Sequence, residues 1–279
     1  MSKNQDARTV RGFGDEWSRF DQRALSDEER GEIFKSYFGI FPWAALPARA
    51  VGFDLGSGSG RWAACVAPRV GTLHCVDASE QALGVARRNL AREGVANCEF
   101  HHASVDAIPL ADASMDFGYS LGVLHHVPDT QAGLAACVRK LKVGAPFLLY
   151  LYYAMDNRPA WYRALWRTSE LLRYTTSSSP LPLRYALSQA IAAGIYFPLA
   201  RAAQLAERLG LNARNMPLYI YRDRSFYTMR TDALDRFGTK LEQRFSRVEI
   251  EKMMTAAGLE RITFSEALPY WCAVGYRAR

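Results

Sequence analysis

From Ala50 onward the chain alternates between two hydrophobic rhythms. Short apolar, β-prone runs fall at residues 51–54, 72–76, 97–101, 117–120 and 146–153. Helical spacing fills most of the intervals, at 60–67, 79–93 and 129–141. The second of these opens on Ser79, a good N-cap, and closes on Gly94, a good C-terminal stop. Strands that alternate with helices predict a parallel sheet covered by helices on both faces, an α/β fold.

The rhythm changes on either side of this region. Residues 1–48 read as an N-terminal cap. They contain a helix over 26–41 that begins with Ser26 and a cluster of acids, and Pro42 and Pro47 punctuate the stretch after it. After Met155 the alternation stops, and residues 155–245 read as a mainly helical insert with a long helical pattern at 183–209. Residues 246–279 then resume as a helix stopped near Gly258, a strand, a turn near Pro269 and a last strand. The expected divisions are therefore 1–48, 49–154, 155–245 and 246–279.

The turn after the first strand carries the most chemistry. It reads "VGFDLGSGSGRWAA", with glycines at 56, 58 and 60. A glycine-rich strand-to-helix turn lets a ligand approach bare backbone. A dinucleotide fingerprint requires G-x-G-x-x-G, but Arg61 stands where its third glycine belongs. Asp54, two residues before the first glycine, repels a pyrophosphate and suits a ligand with an ammonium group. Asp77 ends the second apolar run about twenty residues on, where an acid typically takes ribose hydroxyls. A ribose at one end and a cationic amine at the other fit S-adenosylmethionine better than NAD.

Together with "HCVDASEQAL", "ASVDAIPLADASMDFGYSLGVLHHVPD" and "RKLKVGAPFLLYLY", this turn resembles the successive motifs of class I S-adenosylmethionine-dependent methyltransferases. The resemblance covers about residues 50–153, and weakly 246–276. It implies a Rossmann-like sheet of seven strands, mostly parallel with an antiparallel last strand. It also implies that Asp54, Gly56, Gly58 and Gly60 hold the methionine end and that Asp77 and Ala78 meet the ribose and adenine. Val105 and Asp106 would meet the adenine amino group, and the backbone at Ser120 and Leu121 the methionine amine. His126 and His125 would stand at the methyl end as base candidates. One departure is "KVGA" (142–145), where the family commonly has "KPGG".

N-terminal segments in this subgroup often form a lid, which makes Trp17, Phe20, Tyr37 and Phe38 lid candidates. Trp17, Tyr37, Tyr153, Tyr221 and Arg224 are the candidates on the substrate side. Between residues 155 and 247 there are 15 Lys/Arg against 7 Asp/Glu, a surplus larger than the whole chain's +7. Three readings of this basic, aromatic region stay open: a pocket for a small anionic molecule, a membrane-facing surface for a lipid-linked substrate, and a nucleic-acid surface.

The expected function is methyl transfer to an O (or N) nucleophile of a small molecule. The alternatives are a tRNA/RNA or lipid-linked acceptor, an NAD-binding oxidoreductase, and a non-catalytic cofactor-binding protein. The five cysteines have no C-x-x-C pair, and the histidines have no carboxylate partner at ligand spacing, so no metal site is expected. The chain has no apolar run of about twenty residues and no signal-peptide core, which gives a cytoplasmic expectation.

Overall fold

The computed structural model describes residues 4–279. The chain divides into two compact units. One comprises residues up to 22, 30–154 and 241–279; the other comprises 23–29 and 155–240. The insert is thus shorter than the sequence implies. Residues 241–245 return to the first unit, where Gln243 N donates to His125 O (3.0 Å) and Phe245 N to Tyr152 O (2.9 Å). Residues 23–29, expected in the cap, belong to the second unit.

The elements in chain order are α1 (Ala7–Arg19), α2 (Asp27–Phe38), β1 (Val51–Leu55), α3 (Arg61–Val66), β2 (Thr72–Asp77), α4 (Glu80–Arg92), β3 (Cys98–His102), β4 (Phe117–Leu121), α5 (Thr130–Lys140) and β5 (Pro146–Tyr150). The insert supplies α6 (Ala160–Ser178), α7 (Leu181–Ile191), α8 (Phe197–Arg208) and α9 (Phe226–Gly238). The chain ends with α10 (Arg247–Ala256), β6 (Leu259–Phe264) and β7 (Cys272–Arg277).

The seven strands form one sheet in the order β3-β2-β1-β4-β5-β7-β6. β7 runs antiparallel to both β5 and β6, and the other observed pairings are parallel. The expected Rossmann-like seven-stranded sheet is therefore present. The central strands β4 and β5 are buried along their whole length, which is why they read as continuous apolar runs. One core cluster joins Phe53, Phe147, Leu149, Leu134 and Ile250, so α5 and α10 seal one face of the sheet.

Local capping follows the sequence closely. The Ser79 side chain accepts from Ala82 N, Asp129 accepts from Ala132 N, and Ser246 forms a reciprocal capping box with Glu249. β5, by contrast, ends at Tyr150 rather than at 153. Beyond it the backbone leaves the sheet, and Tyr153 bridges Phe245 on the returning segment. In the second unit, α9 supplies Met229, Ala233 and Phe237 to a core shared with Ala192, Tyr196 and Ala200. The expected long helix is interrupted by a π-helical segment, Ala192–Tyr196, between α7 and α8.

Candidate active site

Strand order reverses between β1 and β4, because β2 lies on one side of β1 and β5 on the far side of β4. Such a switch point opens a crevice beyond the carboxyl ends of the strands. Every loop that the sequence marks for chemistry begins there.

The glycine turn is folded back on β2. Gly56 N and Ser57 N both donate to Val76 O (2.7 and 3.2 Å), Gly60 N donates to Ser57 O (2.8 Å), and Gly58 N donates to the Asp77 carboxylate (2.8 Å). The amides that a phosphate would need are therefore already engaged. This physical difference from a pyrophosphate cradle agrees with the G-x-G-x-G spacing. Gly56 and Gly58 both have positive φ, at +80° and +52°. A Cβ at Gly56 would lie 2.3 Å from the Val123 side chain, and one at Gly58 would lie 2.9 Å from the Trp17 indole nitrogen. Neither glycine can carry a side chain without displacing a neighbour.

The two acids differ sharply. Asp77 accepts through both oxygens, from Gly58 N and from Ser79 N (2.8 Å each), so it locks the turn to the start of α4. It stays partly exposed, and burial raises its pKa against the lowering effect of those amides. Asp54 is 1% exposed. Burial holds its pKa well above the usual carboxylate range, and the nearby Tyr119 hydroxyl pulls it only partly back. Neither Asp54 Oδ2 nor the Tyr119 hydroxyl completes a hydrogen bond of ordinary distance and angle. A buried carboxylate oxygen without a donor is costly, and an ammonium group is the donor it best accommodates.

The loops after β3 and β4 continue the crevice. Ala78 O accepts a hydrogen bond from His102 Nε2 (3.0 Å). Asp106 is exposed in a 3-10 turn beside buried Val105, and the Ser104 hydroxyl donates to it (2.6 Å). Ser120 is fully buried and donates to Leu55 O (3.1 Å), so its side chain ties β4 to β1. Leu121 is 8% exposed, and Gly122 beyond it has positive φ with open space on its Cβ side.

His125 and His126 lie in a 3-10 turn after β4, and they are not equivalent. His125 has no exposed surface, and its ring stacks on Tyr152 with centroids 3.9 Å apart. Burial, reinforced by His126 and Arg244, holds its pKa well below 6.5, so it stays neutral. Its Nδ1 accepts from Tyr152 N–H (3.4 Å), which puts its proton on Nε2. A neutral imidazole so placed is a weak base. His126 Nδ1 lies 2.7 Å from Leu241 O. That contact keeps the Nδ1 proton in place and makes Nε2 the basic nitrogen.

Helix α1 covers this crevice. Asp6 caps it by accepting from Thr9 N (2.7 Å). Trp17 lies over Gly58, Phe13 lies 5.0 Å from the His126 ring, and Ser18 accepts from Gln81 Nε2 (2.7 Å) on α4. Asn4 clamps the start of α5 through Asp129 O and Asp129 N (2.8 and 2.7 Å). Sequence reading placed Trp17 in a lid but missed the helix, because Gly12 and Gly14 dilute its propensity. The usable signal was the N-cap Asp6.

The other candidates are distributed differently. Tyr37 packs on Trp62 and Tyr150, while Phe20 and Phe38 are buried core residues. Tyr153 packs on Tyr270 and the main core cluster. Tyr221 packs on Tyr196 in the second unit's own core, and Arg224 O accepts from Arg201 there (3.0 Å). Sequence reading also missed the pair Arg244 and Glu242, 2.7 Å apart and almost buried, with Arg244 above the Tyr152 ring. Both lie on the returning segment that the sequence assigns to the insert.

Comparison with known proteins bears on the central part of the chain. Residues 53–149 match the family model described as a methyltransferase domain. This stretch is a methyltransferase domain. The relatives include the uncharacterized methyltransferase YcgJ of Bacillus subtilis, 30% identical over 104 residues that cover 37% of this chain and 41% of that protein. A ubiquinone biosynthesis O-methyltransferase of Aromatoleum aromaticum is 34% identical over 116 residues, or 41% of this chain and 47% of that one. The chain thus matches less than half the length of these curated relatives. In overall fold, the chain resembles a SAM-dependent methyltransferase from Aquifex aeolicus, with TM-score 0.51 and 14% identity over 94% of this chain and 96% of that one. It also resembles a chain of the Haloferax volcanii complex with the Trm112 methyltransferase activator, with TM-score 0.53 and 14% identity over 96% and 98%.

The structure also joins residues that the sequence keeps apart. His74, Glu99 and His101 meet on β2 and β3, with His74 Nδ1 3.0 Å from His101 Nε2 and 3.3 Å from Glu99. In-register pairing of His74 with Glu99 creates this group, although 25 residues of chain separate them. It is a hydrogen-bonded edge cluster and lies apart from the crevice loops. Among the described residues, no helix is long and apolar enough to cross a membrane.

Proposed function

We propose that this methyltransferase binds S-adenosylmethionine in the crevice beyond β1, β2 and β4 and transfers its methyl group to an oxygen nucleophile of a small molecule. The observation that carries the reading is Asp54, a buried carboxylate with an unfilled acceptor, two residues before a turn whose amides are already engaged. That pair of features calls for an ammonium group and disfavours a phosphate. Asp77 retains lone pairs and exposure for ribose hydroxyls, and Asp106 is an exposed acceptor for an adenine amino group. When bound, the sulfonium cofactor supplies an activated methyl group, and the protein's task is alignment and exclusion of water.

His126 takes the acceptor's proton in this reading. Leu241 O fixes its tautomer with the proton on Nδ1, which leaves Nε2 as the basic nitrogen. His125 and Tyr152 hold the turn in place by stacking. Trp17 and Phe13 close over the turn and the His126 ring, which dries the site. Several relatives are ubiquinone biosynthesis O-methyltransferases, which supports oxygen over nitrogen as the acceptor and a small molecule over RNA.

Isothermal titration with S-adenosylhomocysteine and with NAD tests the cofactor assignment. Binding of the former alone is expected, and the reverse result overturns it. Transfer of labelled methyl groups to extracts separated into phenolic, amine and RNA fractions tests the acceptor. Incorporation confined to amines or RNA would refute the oxygen assignment.

A further inference from the structure

The second unit has an inside-out helix. Between Arg184 and Arg201 the sequence carries no charge for 16 residues, and this stretch runs through α7, the π-helical segment and the start of α8. In a water-exposed helix the apolar stripe faces the core. Here the buried positions are Arg184, Ser188, Ala192, Tyr196 and Ala200, whose side chains apart from Tyr196 are polar or small. Arg184 spends its guanidinium on Ser179 O (3.2 Å), and Ser188 spends its hydroxyl on Tyr185 O (2.8 Å). The outward positions are Leu183, Leu187, Ile195, Phe197 and Leu199, between 36% and 51% exposed.

The pattern extends through the unit. Of the 16 large hydrophobic residues exposed on the described chain, 14 lie in residues 155–240. They include Trp161 and Leu171 on α6, at 54% and 71%, and Leu205 and Leu209 at the end of α8, at 58% and 68%. Scattered single leucines need no explanation, but a concentration of this kind marks an interaction surface.

Charge identifies the partner. Arg163, Arg167 and Arg208 are exposed on α6 and α8, and their side chains have no ion-pair or hydrogen-bond partner among the described residues. The acids on α6–α8 are spent. Glu170 pairs with Arg173 (2.7 Å), and Glu207 is taken by Arg222 and the Tyr219 hydroxyl. Unspent charge on these helices is therefore wholly positive, interleaved with leucines and a tryptophan. A second copy of the same surface would bring like charges together. RNA would ask for stacking aromatics, whereas ten of these 14 exposed groups are aliphatic and only Trp161, Tyr174, Phe197 and Phe226 are aromatic. A bilayer with anionic headgroups accepts both features at once, with aliphatic groups entering the acyl boundary and arginines at the phosphates.

We propose that the helical unit at 155–240 is a peripheral membrane-binding surface for anionic lipid, with the α7–α8 face as its apolar contact. This surface stands independently of the methyl-transfer reading and is tested without turnover.

The test is flotation of the full chain with vesicles of phosphatidylcholine alone and with added phosphatidylglycerol. The chain is expected to float with the anionic vesicles at low salt and to be released as salt rises. Changing Arg163, Arg167 and Arg208 to glutamine is expected to weaken vesicle affinity roughly fivefold per arginine. Leu183→Glu with Leu187→Glu is expected to abolish flotation with no change in helix content by circular dichroism. If those glutamates lower the melting temperature, Leu183→Gln with Leu187→Gln and the salt series on the unaltered chain decide. The proposal is overturned if the unaltered chain fails to float at low salt or if both variant sets float unchanged. It is also overturned if light scattering shows that the leucine changes dissociate a dimer, or if the surface retains RNA in place of lipid.

Discussion

The two units are unfinished in opposite ways. In the first, the incomplete groups are polar and face inward: Asp54, Tyr119 and His125 are buried with atoms that find no hydrogen-bond partner. The second also has buried polar atoms without a hydrogen-bond partner, at Glu170 and Arg236, but what sets it apart is apolar and faces outward, along α7 and α8. Folding normally minimises both kinds of exposure, since each costs free energy in water. A buried orphan acceptor asks for a polar ligand in a dry crevice. An exposed aliphatic face asks for an apolar cover. The proposed functions of the two units follow from that difference, and single substitutions in each unit separate functional incompleteness from ordinary packing.

The largest effect is expected at Asp77. Its two oxygens hold Gly58 N and Ser79 N, so Asp77→Ala leaves both amides without an acceptor and frees the turn from α4. A loss of about 3 kcal/mol of stability is expected, together with loss of measurable S-adenosylhomocysteine binding. Thermal melting and titration calorimetry check the two parts. Asp54→Asn should behave in the opposite sense. Removing a desolvated charge is expected to stabilise the ligand-free protein by about 1 kcal/mol, while S-adenosylhomocysteine binding weakens roughly tenfold to a hundredfold. A destabilised Asp54→Asn protein would show that the carboxylate is a structural group and would weaken the contrast between the units.

The same site has a pH signature. The Asp54 pKa is raised on folding, so the folded protein holds its proton to higher pH than an unfolded chain does. An ammonium ligand needs the carboxylate form. Affinity for S-adenosylhomocysteine is therefore expected to climb as pH rises from 3.8 through the raised pKa, and then to level off. The Asp54→Asn protein should lose that climb.

Legibility in the sequence follows the same division. The sheet, its caps and the glycine turn were readable because each rests on local chemistry. Apolar runs mark buried strands, Ser79, Asp129 and Ser246 mark helix starts, and alternate glycines mark a turn with positive φ. Asp54 and Asp77 were readable as ligand candidates by position, although the difference between them depends on hydrogen bonds that only the fold creates. The pair Arg244 and Glu242 was hidden because residues 241–245 return to the first unit by backbone bonds to His125 and Tyr152, more than ninety positions earlier for Tyr152 O. The inside-out helix was hidden for another reason. Its composition reads as an ordinary apolar helix, and only burial reveals that Ser188 faces in while Leu187 faces out.

His125 offers a smaller, purely structural check on the first unit. Its pKa falls on folding, so the stability it contributes is complete above 6.5 and is lost as pH falls below that value toward the lowered pKa. The slope cannot exceed about 1.4 kcal/mol per pH unit for one proton. Denaturant melts from neutral to mildly acidic pH should show this decline, and His125→Gln should flatten it. If the slope persists in that variant, another buried group is responsible, with Asp54 already excluded because its raised pKa gives the opposite sign.

The smallest expected effect bears most directly on the second unit. If the α7–α8 face meets only water in the isolated protein, Leu187→Gln should change stability by no more than about 0.5 kcal/mol, the ordinary range for an exposed site. Tyr196→Ala, which opens the shared core beside Ala192 and Phe237, should cost about 3 kcal/mol in the same unit. Denaturant melts of the two variants measure that contrast. A cost for Leu187→Gln approaching that of Tyr196→Ala would mean that the leucine is already covered in solution by part of the chain or by a second copy. The face would then be packing, and the opposition between an inward polar gap and an outward apolar one would disappear.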